Sequence, residues 1–326
     1  MLVLTDADEV PGSARGGVFA IGNFDGVHRG HKALIARTTQ LASGLPNSAD
    51  GMRASTNGMR ASAGVIVFEP HPRRYFRPAE PHFVLTPLDE KLRLLAGLGL
   101  DVAVVLTFDA ALAGLSAQAF VERVLIGRLG VRHVVVGYDF SYGKDRGGST
   151  GTLQAAGAAA GFGVTVIDQQ AEDGEAFSST AIRLHLSEGN VNAAARALGH
   201  WWRVSGVVAH GAKIGTELGF PTANIDLAVG TALKHGIYAV RVHHAGRTFG
   251  GAAYFGTRPT VDDGPPRLEA FLFDFSGDLY GSVVGVELIG FVRGDRRFRS
   301  LDEMKAQIAR DCEAAAVLLA AAPITP

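Results

Sequence analysis

Cysteine is nearly absent from this 326-residue chain. Cys312 is the single one, so a disulfide framework within the chain is excluded and a reducing compartment is expected. An excess of charge is missing as well, because 31 Lys and Arg residues balance 32 Asp and Glu residues. The chain therefore lacks the basic surface that binding to nucleic acids or to membrane surfaces requires. We accordingly expect neither nucleic acid nor a membrane as a partner.

Long apolar runs are also missing from the sequence. The most apolar stretch, Leu94 to Leu115, is interrupted by Asp101 and Asp109, whereas a membrane span needs about 20 consecutive apolar residues. This stretch is predicted to be a helix end followed by a buried strand. The start of the chain carries acidic residues where a signal peptide has a basic region and an apolar core. We expect a soluble, cytoplasmic protein.

The chain divides into two halves of different character, and its 47% of apolar residues allows each half a core of its own. In the first half, β-rich runs alternate with helical Ala/Leu-rich segments, which predicts a Rossmann-like α/β domain with a parallel sheet. The strands are expected at 17–22, 65–68, 102–106, 133–136 and 164–167. The helices are expected at 32–41, 87–96, 118–129 and 152–160, with two more between 179 and 198.

The second half, from Trp202 onward, is predicted to be a small antiparallel β-barrel with a C-terminal helix, because short β-rich runs alternate there with Gly, Pro and Asp. Strands are expected at 204–209, 236–242, 248–254, 268–273 and 283–291. The closing helix should run from Ser300 to Leu319, with Ser300 as N-cap and Glu303 at the capping-box position. We place the domains at residues 1–186 and 187–326.

A near-duplication interrupts the first half. The string GMRAS occurs at 51–55 and again at 58–62, within a Gly/Ser/Asn-rich stretch from Gly44 to Gly64. Two short copies do not form a solenoid, which needs at least about three repeats. The stretch is predicted to be a solvated loop between the first helix and the second strand.

The first candidate site is the string GNFDGVHRGH, which follows the first strand and leads into a helix. Its glycines permit a tight turn, and His28 and His31 share one face of the first helical turn. The exposed N–H groups and the dipole of a helix start favour anions. Two imidazoles there can donate hydrogen bonds to a triphosphate and to charge developing on a pyrophosphate leaving group. By itself, an HxxH pair is more often half of a metal site or simply two polar residues at the surface. A zinc site would need further ligands nearby.

The complete string resembles the HxGH signature of the class I nucleotidyltransferases, in the version found in the bacterial bifunctional riboflavin kinase/FAD synthetases. The resemblance implies that His28 and His31 are catalytic in adenylyl transfer. It also implies that the rest of the turn binds nucleotide phosphates through Gly22, Asn23, Phe24, Asp25 and Gly26.

A second signature of that family, SSTAIR, follows the fifth strand. Read alone, it indicates only an N-capped helix. By resemblance it binds phosphates, with Arg183 adding a forked donor. Its candidate residues are Ser178, Ser179, Thr180 and Arg183. Class I aminoacyl-tRNA synthetases share the histidine pair but use a lysine-rich loop at this position, so SSTAIR favours the nucleotidyltransferase.

Two loops, FEPHP after the second strand and GYDFSYG after the fourth, also match the family. The carboxyl ends of parallel strands are where such sheets bind ligands. By resemblance, the candidate flavin-binding residues are Pro70, His71, Asp139 and Phe140. Asp139 alternatively bonds its own backbone in a turn. The segment from Gly137 to Lys144 is not a P-loop, because the glycine spacing differs and Asp145 stands where a Ser or Thr is required.

The second candidate site lies in the barrel half, where a glycine-rich arch precedes Phe-Pro-Thr-Ala-Asn. The backbone N–H groups of such an arch can cradle phosphates, here at Gly211, Lys213, Gly215 and Gly219. Pro221 would pre-set Thr222. The Thr222 hydroxyl and the Asn224 carbonyl are hard oxygen donors that suit Mg²⁺ bound with ATP. A plain hairpin entry would explain the glycines but not the Thr-Ala-Asn.

The arch is similar to the GFPTAN motif of riboflavin kinases, and further matching blocks lie at 236–240, 256–260 and 267–281. The resemblance implies that Glu269 is the general base of the kinase. The strand alone would favour a solvated, outward-facing carboxylate. The chain departs from the family pattern at two points. In the arch, the positive charge that would face the phosphates is supplied by Lys213. The pair Tyr254 and Phe255 stands where the family often has two smaller polar residues.

Together these resemblances imply a bifunctional enzyme that phosphorylates riboflavin to FMN and adenylylates FMN to FAD, with release of pyrophosphate. Riboflavin, FMN and ATP would be its partners, with Mg²⁺ as the metal and FMN and FAD as product flavins. Two alternatives stay open: an enzyme in which only one half is active, and a flavin- and nucleotide-binding regulator without enzymatic activity. The regulator is disfavoured by His28 with His31, by Thr222 with Asn224, and by Glu269, because a protein that only binds flavin has no need of a base together with metal ligands. An NAD-binding domain is disfavoured, because no GxGxxG follows the first strand. The oligomeric state is not predicted.

Overall fold

The computed structural model describes residues 1–45, 60–210, 220–228, 230–257 and 266–325. It forms two compact units, Met1–Glu80 with Pro87–Phe177 and Pro81–Thr86 with Ser178–Pro326. The domain boundary near 186 stays a prediction.

The first unit contains ten strands and six α-helices within the described residues, together with a π-helical segment at Val121–Arg128 and a 3₁₀ turn at Lys144–Arg146. The strands are β1 (Leu2–Leu4), β2 (Val18–Ile21), β3 (Ala63–Glu69), β4 (Val102–Thr107), β5 (His133–Gly137), β6 (Ser141–Tyr142), β7 (Gly148–Ser149), β8 (Gly163–Ile167), β9 (Ala171–Glu172) and β10 (Glu175–Ala176). The helices are α1 (Arg29–Gly44), α2 (Pro72–Phe76), α3 (Leu88–Ala96), α4 (Ala110–Ala113), α5 (Ala117–Phe120) and α6 (Thr150–Ala160).

Six of these strands form a parallel sheet in the order β1-β4-β3-β2-β5-β8. Both faces of the central strands are buried, which explains their nearly continuous apolar sequences. In β2, Phe19 and Ile21 pack into one core layer, and Val18 and Ala20 pack into the other, as the alternation of side chains along a strand requires. The predicted parallel sheet is confirmed. Edge strand β1 was not predicted.

The stretch from Gly44 to Gly64 is not a solvated loop throughout. Ala61 is buried and β3 begins at Ala63, so the prediction is wrong at this end. Arg60 donates hydrogen bonds of 2.7 and 3.0 Å to the Asp101 carboxylate. The backbone N–H of Ala61 donates to the carbonyl of Leu45 at 2.8 Å. Residues 46–59, which hold most of the duplication, lie outside the described residues.

Because Leu45 and Ala61 are already hydrogen-bonded, residues 46–59 should be replaceable by a short Gly/Ser linker. We expect a linker of about four residues to raise the free energy of unfolding by about 1 kcal/mol, since each halving of a loop saves about 0.6 kcal/mol of closure entropy. Urea unfolding followed by circular dichroism measures this. A decrease of more than about 1 kcal/mol would show that the replaced residues make stabilising contacts.

The second unit is a closed six-stranded antiparallel barrel with helices before and after it, which confirms the predicted barrel and C-terminal helix. Its elements are α7 (Ser179–Glu188), α8 (Val191–Leu198), β11 (Arg203–Ala209), β12 (Thr222–Asp226), β13 (Gly236–His244), β14 (Arg247–Gly256), β15 (Arg267–Leu272), β16 (Val283–Arg293) and α9 (Leu301–Ala321). The strand order around the barrel is β11-β12-β15-β14-β13-β16.

Strand β12 is the barrel strand that the sequence did not predict. The Thr-Ala-Asn segment was interpreted as a rigid extension of the glycine arch, but it pairs with both β11 and β15. Its Ala223 and Ile225 are buried on one face and alternate with Thr222 and Asn224 on the other, as successive residues of a strand do. The barrel closes only because β12 joins β11 to β15.

Ser300 is the N-cap of helix α9, as predicted, and its Oγ accepts a hydrogen bond from the Glu303 N–H at 3.1 Å. The other half of the capping box is wrong, because the Glu303 carboxylate accepts from the N–H of Arg299 at 3.0 Å. Buried Asp311 fixes the helix to the barrel through two hydrogen bonds from Arg293, of 2.8 and 2.6 Å. No helix in the described part of the chain is long and apolar enough to cross a membrane.

Candidate active sites

The GNFDGVHRGH string forms a strained turn between β2 and α1. Phe24 and Val27 have positive φ values of 48° and 43°, and Gly26 has 87°. Such a conformation costs a non-glycine residue of order 1 kcal/mol or more. Both apolar side chains are fully buried in one core layer, and this burial offsets the strain. The turn thereby fixes the start of α1.

His28 caps α1 through its ring. Its Nδ1 accepts a hydrogen bond from the backbone N–H of His31 at 3.3 Å. A ring nitrogen that accepts carries no proton, so neutral His28 holds its proton on Nε2, which is then a donor. A Cβ at Gly30 would lie 3.1 Å from the His28 ring, so a larger residue there would require the ring to shift by a few tenths of an ångström.

The two imidazoles are stacked, with centroids 3.6 Å apart and planes 23° apart. Burial lowers the pKa of His28 to about 4, although the neighbouring Asp25 opposes this shift. Burial, followed by His28 and Lys91, holds the pKa of His31 well below its usual value. Both rings are therefore neutral near pH 7, and they act on a ligand as hydrogen-bond donors rather than as cations.

The depressed pKa of His28 makes the stability of the first unit depend on pH. An unfolded chain binds this proton below about pH 6.5, whereas the folded chain binds it only near a pKa of about 4. The stabilisation is thus complete above about pH 6.5 and is lost as the pH falls towards 4. His28→Asn keeps a capping group without this titration. The free energy of unfolding, measured in urea, should fall between pH 7 and pH 4.5 in both proteins. We expect this fall to be about 2 kcal/mol smaller for His28→Asn than for the unmodified chain. Equal losses would contradict the assignment.

The loops after β3 and β5 reach the same edge of the sheet as this turn, because β3 and β5 flank β2. His71 caps α2 by accepting the Arg73 N–H on Nδ1 at 3.2 Å. One of its ring nitrogens lies within 4.8 Å of a carboxylate oxygen of buried Asp25. Pro70 and Asp139 are exposed, and Phe140 is half-buried and stacked on Tyr142.

An aromatic cluster at this edge was not singled out from the sequence. Phe108, which follows β4, is contacted edge-on by three rings, at centroid distances of 5.5, 5.6 and 6.0 Å. These rings belong to Tyr75, Phe76 and Phe68. Phe76 is 63% exposed, which leaves an apolar ring surface at the carboxyl end of the sheet.

The SSTAIR segment begins α7 in the second unit. Ser178 is the N-cap, and its Oγ accepts the Ala181 N–H at 3.1 Å. Ser179 and Thr180 lie in the first turn. The Nε of Arg183 donates to the carbonyl oxygen of Phe83 at 2.6 Å. The N-capped helix that the sequence indicated is confirmed.

The second candidate site is one face of the barrel at β12, β15 and β14. Asn224 lies directly opposite Glu269 on β15, and Glu269 lies directly opposite Tyr254 on β14. Residues opposite each other share a face, with Cβ atoms about 4.5–5.5 Å apart. Thr222 is on the same face two residues before Asn224. The neighbours of Glu269 in β15, Leu268 and Ala270, are buried on the opposite face.

The groups on this face are partly withdrawn from solvent. Asn224 is buried and Glu269 is half-buried, so Glu269 is not the fully solvated carboxylate that the strand alone favoured. The Asn224 amide nitrogen donates to the Thr222 carbonyl at 3.2 Å. Of the unusual pair Tyr254 and Phe255, only Tyr254 lies on this face, because Phe255 is fully buried. The arch residues Gly211, Lys213, Gly215 and Gly219 lie outside the described residues.

Comparison with known proteins assigns both halves. A family model for FAD synthetase matches residues 10–181, and one for riboflavin kinase matches residues 198–319. The bifunctional riboflavin kinase/FMN adenylyltransferase of Escherichia coli strain K12 is 41% identical over 297 residues, covering 91% of this chain and 90% of its own. That of Pseudomonas fluorescens is 40% identical over 309 residues, covering 94% of each chain.

A solved structure, described as a macrolide-efflux protein from Streptococcus pneumoniae, is similar over 97% of this chain and 99% of its own, with a TM-score of 0.82 and 26% identity. That description names a different activity, and the family is decided by the two family models and the higher identities to curated flavin enzymes. The chain therefore belongs to the bifunctional riboflavin kinase/FMN adenylyltransferase family.

Proposed function

We propose that this chain makes flavin cofactors in two ATP-dependent steps. The barrel phosphorylates riboflavin to FMN, and the α/β unit adenylylates FMN to FAD with release of pyrophosphate. Family membership supports the pair of reactions. One observation carries the residue-level proposal: Asn224 and Glu269 lie opposite each other in register, which sets a metal-binding oxygen beside a proton acceptor. Action in the cytoplasm stays a prediction from composition.

In the kinase step, Glu269 accepts the proton of the riboflavin ribityl hydroxyl while that oxygen attacks the γ-phosphorus of ATP and ADP leaves. The hydroxyl of Thr222 and the amide oxygen of Asn224 fit Mg²⁺, which prefers hard oxygen ligands. When bound with ATP, the ion neutralises charge on the transferred phosphoryl group. We assign the ATP phosphates to the arch at Gly211, Lys213, Gly215 and Gly219.

In the adenylyltransferase step, a phosphate oxygen of FMN attacks the α-phosphorus of ATP and pyrophosphate leaves. No side-chain nucleophile is needed. Nε2–H of His28 and the ring of His31 donate hydrogen bonds to the charge that develops on the leaving group. The N–H groups at the start of α1 add a favourable dipole. Within the α/β unit, further phosphate contacts are assigned to the turn at Gly22, Asn23, Phe24, Asp25 and Gly26. The phosphate-binding role of Ser178, Ser179, Thr180 and Arg183 stays a prediction from the resemblance.

We place the flavin ring of FMN against the aromatic cluster of Phe68, Tyr75, Phe76 and Phe108. An exposed ring such as Phe76 can stack on a planar heterocycle, and the cluster lies at the sheet edge where the phosphate-binding turn begins. The loop residues Pro70, His71, Asp139 and Phe140 complete this site.

The proposed metal site is tested by Asn224→Ala. We expect riboflavin phosphorylation to fall by about 10²-fold at low free Mg²⁺, because a metal ligand tightens Mg²⁺ binding. The Mg²⁺ concentration for half-maximal kinase rate should rise, and FMN adenylylation should keep its own Mg²⁺ dependence. Asn192→Ala, at an exposed position of α8, is the matched control. An unchanged Mg²⁺ dependence of the kinase would remove Asn224 from the metal site.

A further inference from the structure

Lys91 is a buried lysine that the two proposed reactions do not use. It lies in the first turn of α3, and only 2% of its surface is exposed. Its backbone N–H donates to the Pro87 carbonyl at 2.9 Å, within the helix. Its ammonium makes neither a hydrogen bond nor an ion pair with any residue that the structure describes. Lysine is almost never this buried without a partner.

Helix α3, which carries Lys91, packs beside the adenylyltransferase turn, because its Leu95 lies in the same core layer as Phe24 and Val27 of the turn. Lys91 is near enough to lower the pKa of His31, and its own charged form is favoured by Asp25 and Glu69 while burial disfavours it. Asp25 belongs to the GNFDGVHRGH turn, and Glu69 is the last residue of β3. The Nδ1 atom of His31 is also buried, and it has no hydrogen-bond partner among the described residues. A buried ammonium and a buried ring nitrogen without a hydrogen-bond partner thus belong to the same part of this unit.

A purely structural role does not account for this arrangement. Burying an ammonium costs several kcal/mol unless it is paired and hydrogen-bonded. A methionine of similar length would fill the same space without that cost. The arrangement is understandable if a ligand supplies the missing acceptors. Since both imidazoles are neutral near pH 7, they bring no positive charge to a triphosphate, and a lysine ammonium would supply one.

We propose that Lys91 is a further substrate-binding residue of the adenylyltransferase site, whose ammonium donates hydrogen bonds to phosphate oxygens of ATP beside His31. The proposal rests on the placement of the ATP phosphates at the start of α1. A lysine ammonium has three donors and a full charge, and it suits the phosphate chain of a nucleoside triphosphate. The charges of Asp25 and Glu69 favour the ammonium form of Lys91 before ATP arrives.

The test is Lys91→Met, assayed as FAD formation from FMN and ATP so that the kinase site does not contribute. We expect KM for ATP to rise at least tenfold, as loss of a charge-assisted contact implies, and KM for FMN to stay within about threefold. Inhibition by pyrophosphate should weaken in proportion to KM for ATP. Lys91→Met also removes the cation whose charged form buried Asp25 favours, so the ratio of the two KM values, rather than the thermal midpoint, is the readout of phosphate binding.

Three comparisons make the outcome decisive. Lys305→Met, at an exposed position of α9, makes the same charge change and should alter none of these values. Lys91→Gln keeps a donor without the charge, and it should also raise KM for ATP. His31→Ala tests the site itself. If His31→Ala abolishes FAD formation while Lys91→Met leaves KM for ATP within twofold, the Lys91 proposal fails and the site stands. If neither variant has an effect, the placement of ATP at this turn fails. A lower thermal midpoint with parallel rises in both KM values would assign Lys91 a structural role instead.

Discussion

Glu269→Gln is expected to lower riboflavin phosphorylation by about 10²- to 10⁴-fold, the usual contribution of a general base. Glutamine keeps the size and hydrogen bonding of the side chain but cannot accept the proton of the ribityl hydroxyl. The structure supports this role, because Glu269 is half-buried and lies opposite Asn224. The rate of FMN formation at saturating ATP and riboflavin measures the effect.

Adenylylation of supplied FMN, carried out by the other unit of the same chain, is the internal control for Glu269→Gln and should be unchanged. Glu313→Gln, on the exposed side of α9, is the matched control for the substitution. Kinase activity within a few-fold of the unmodified chain would rule out Glu269 as the base.

His28→Ala and His31→Ala should each lower FAD formation from FMN by about 10²-fold or more, as expected for loss of a donor to developing charge. The two positions differ in stability, because His28 also caps α1 and removing a cap typically costs about 1 kcal/mol. His28→Asn separates the two effects, since asparagine can cap the helix but lacks the imidazole Nε2–H. It should be as inactive as His28→Ala and more stable.

Riboflavin phosphorylation serves as the folding control for these histidine variants and should persist in all of them. The measurement is FAD formed from supplied FMN and ATP, resolved by chromatography. Near-normal FAD synthesis by both alanine variants would show that this turn is not the adenylyltransferase site.

The parallel sheet was predictable because its strands are buried on both faces and read as short apolar runs between helical segments, as in VFAI of β2. Strand β12 was not, because Thr222 and Asn224 are polar and follow Pro221, a composition typical of a turn. Its strand conformation depends on pairing with β11 and β15. Edge strand β1 is three residues long, too short for a periodic signal.

The candidate sites were found through their motifs, whereas their supporting residues were not. Nothing in the sequence indicates that His28 caps its own helix or that its pKa is depressed, because both follow from burial in the folded unit. Lys91 stands in an ordinary amphipathic segment, LDEKLRLLA. Only the packing of α3 beside the turn reveals its buried ammonium. The aromatic cluster similarly joins residues from β3, α2 and the end of β4.

The most direct test of the account is to incubate the purified chain with riboflavin, ATP and Mg²⁺ and to resolve the flavins by chromatography over time. The account predicts that FMN appears first and that FAD follows, with one pyrophosphate released for each FAD. Riboflavin that stays unchanged, together with supplied FMN that is not converted to FAD, would contradict it.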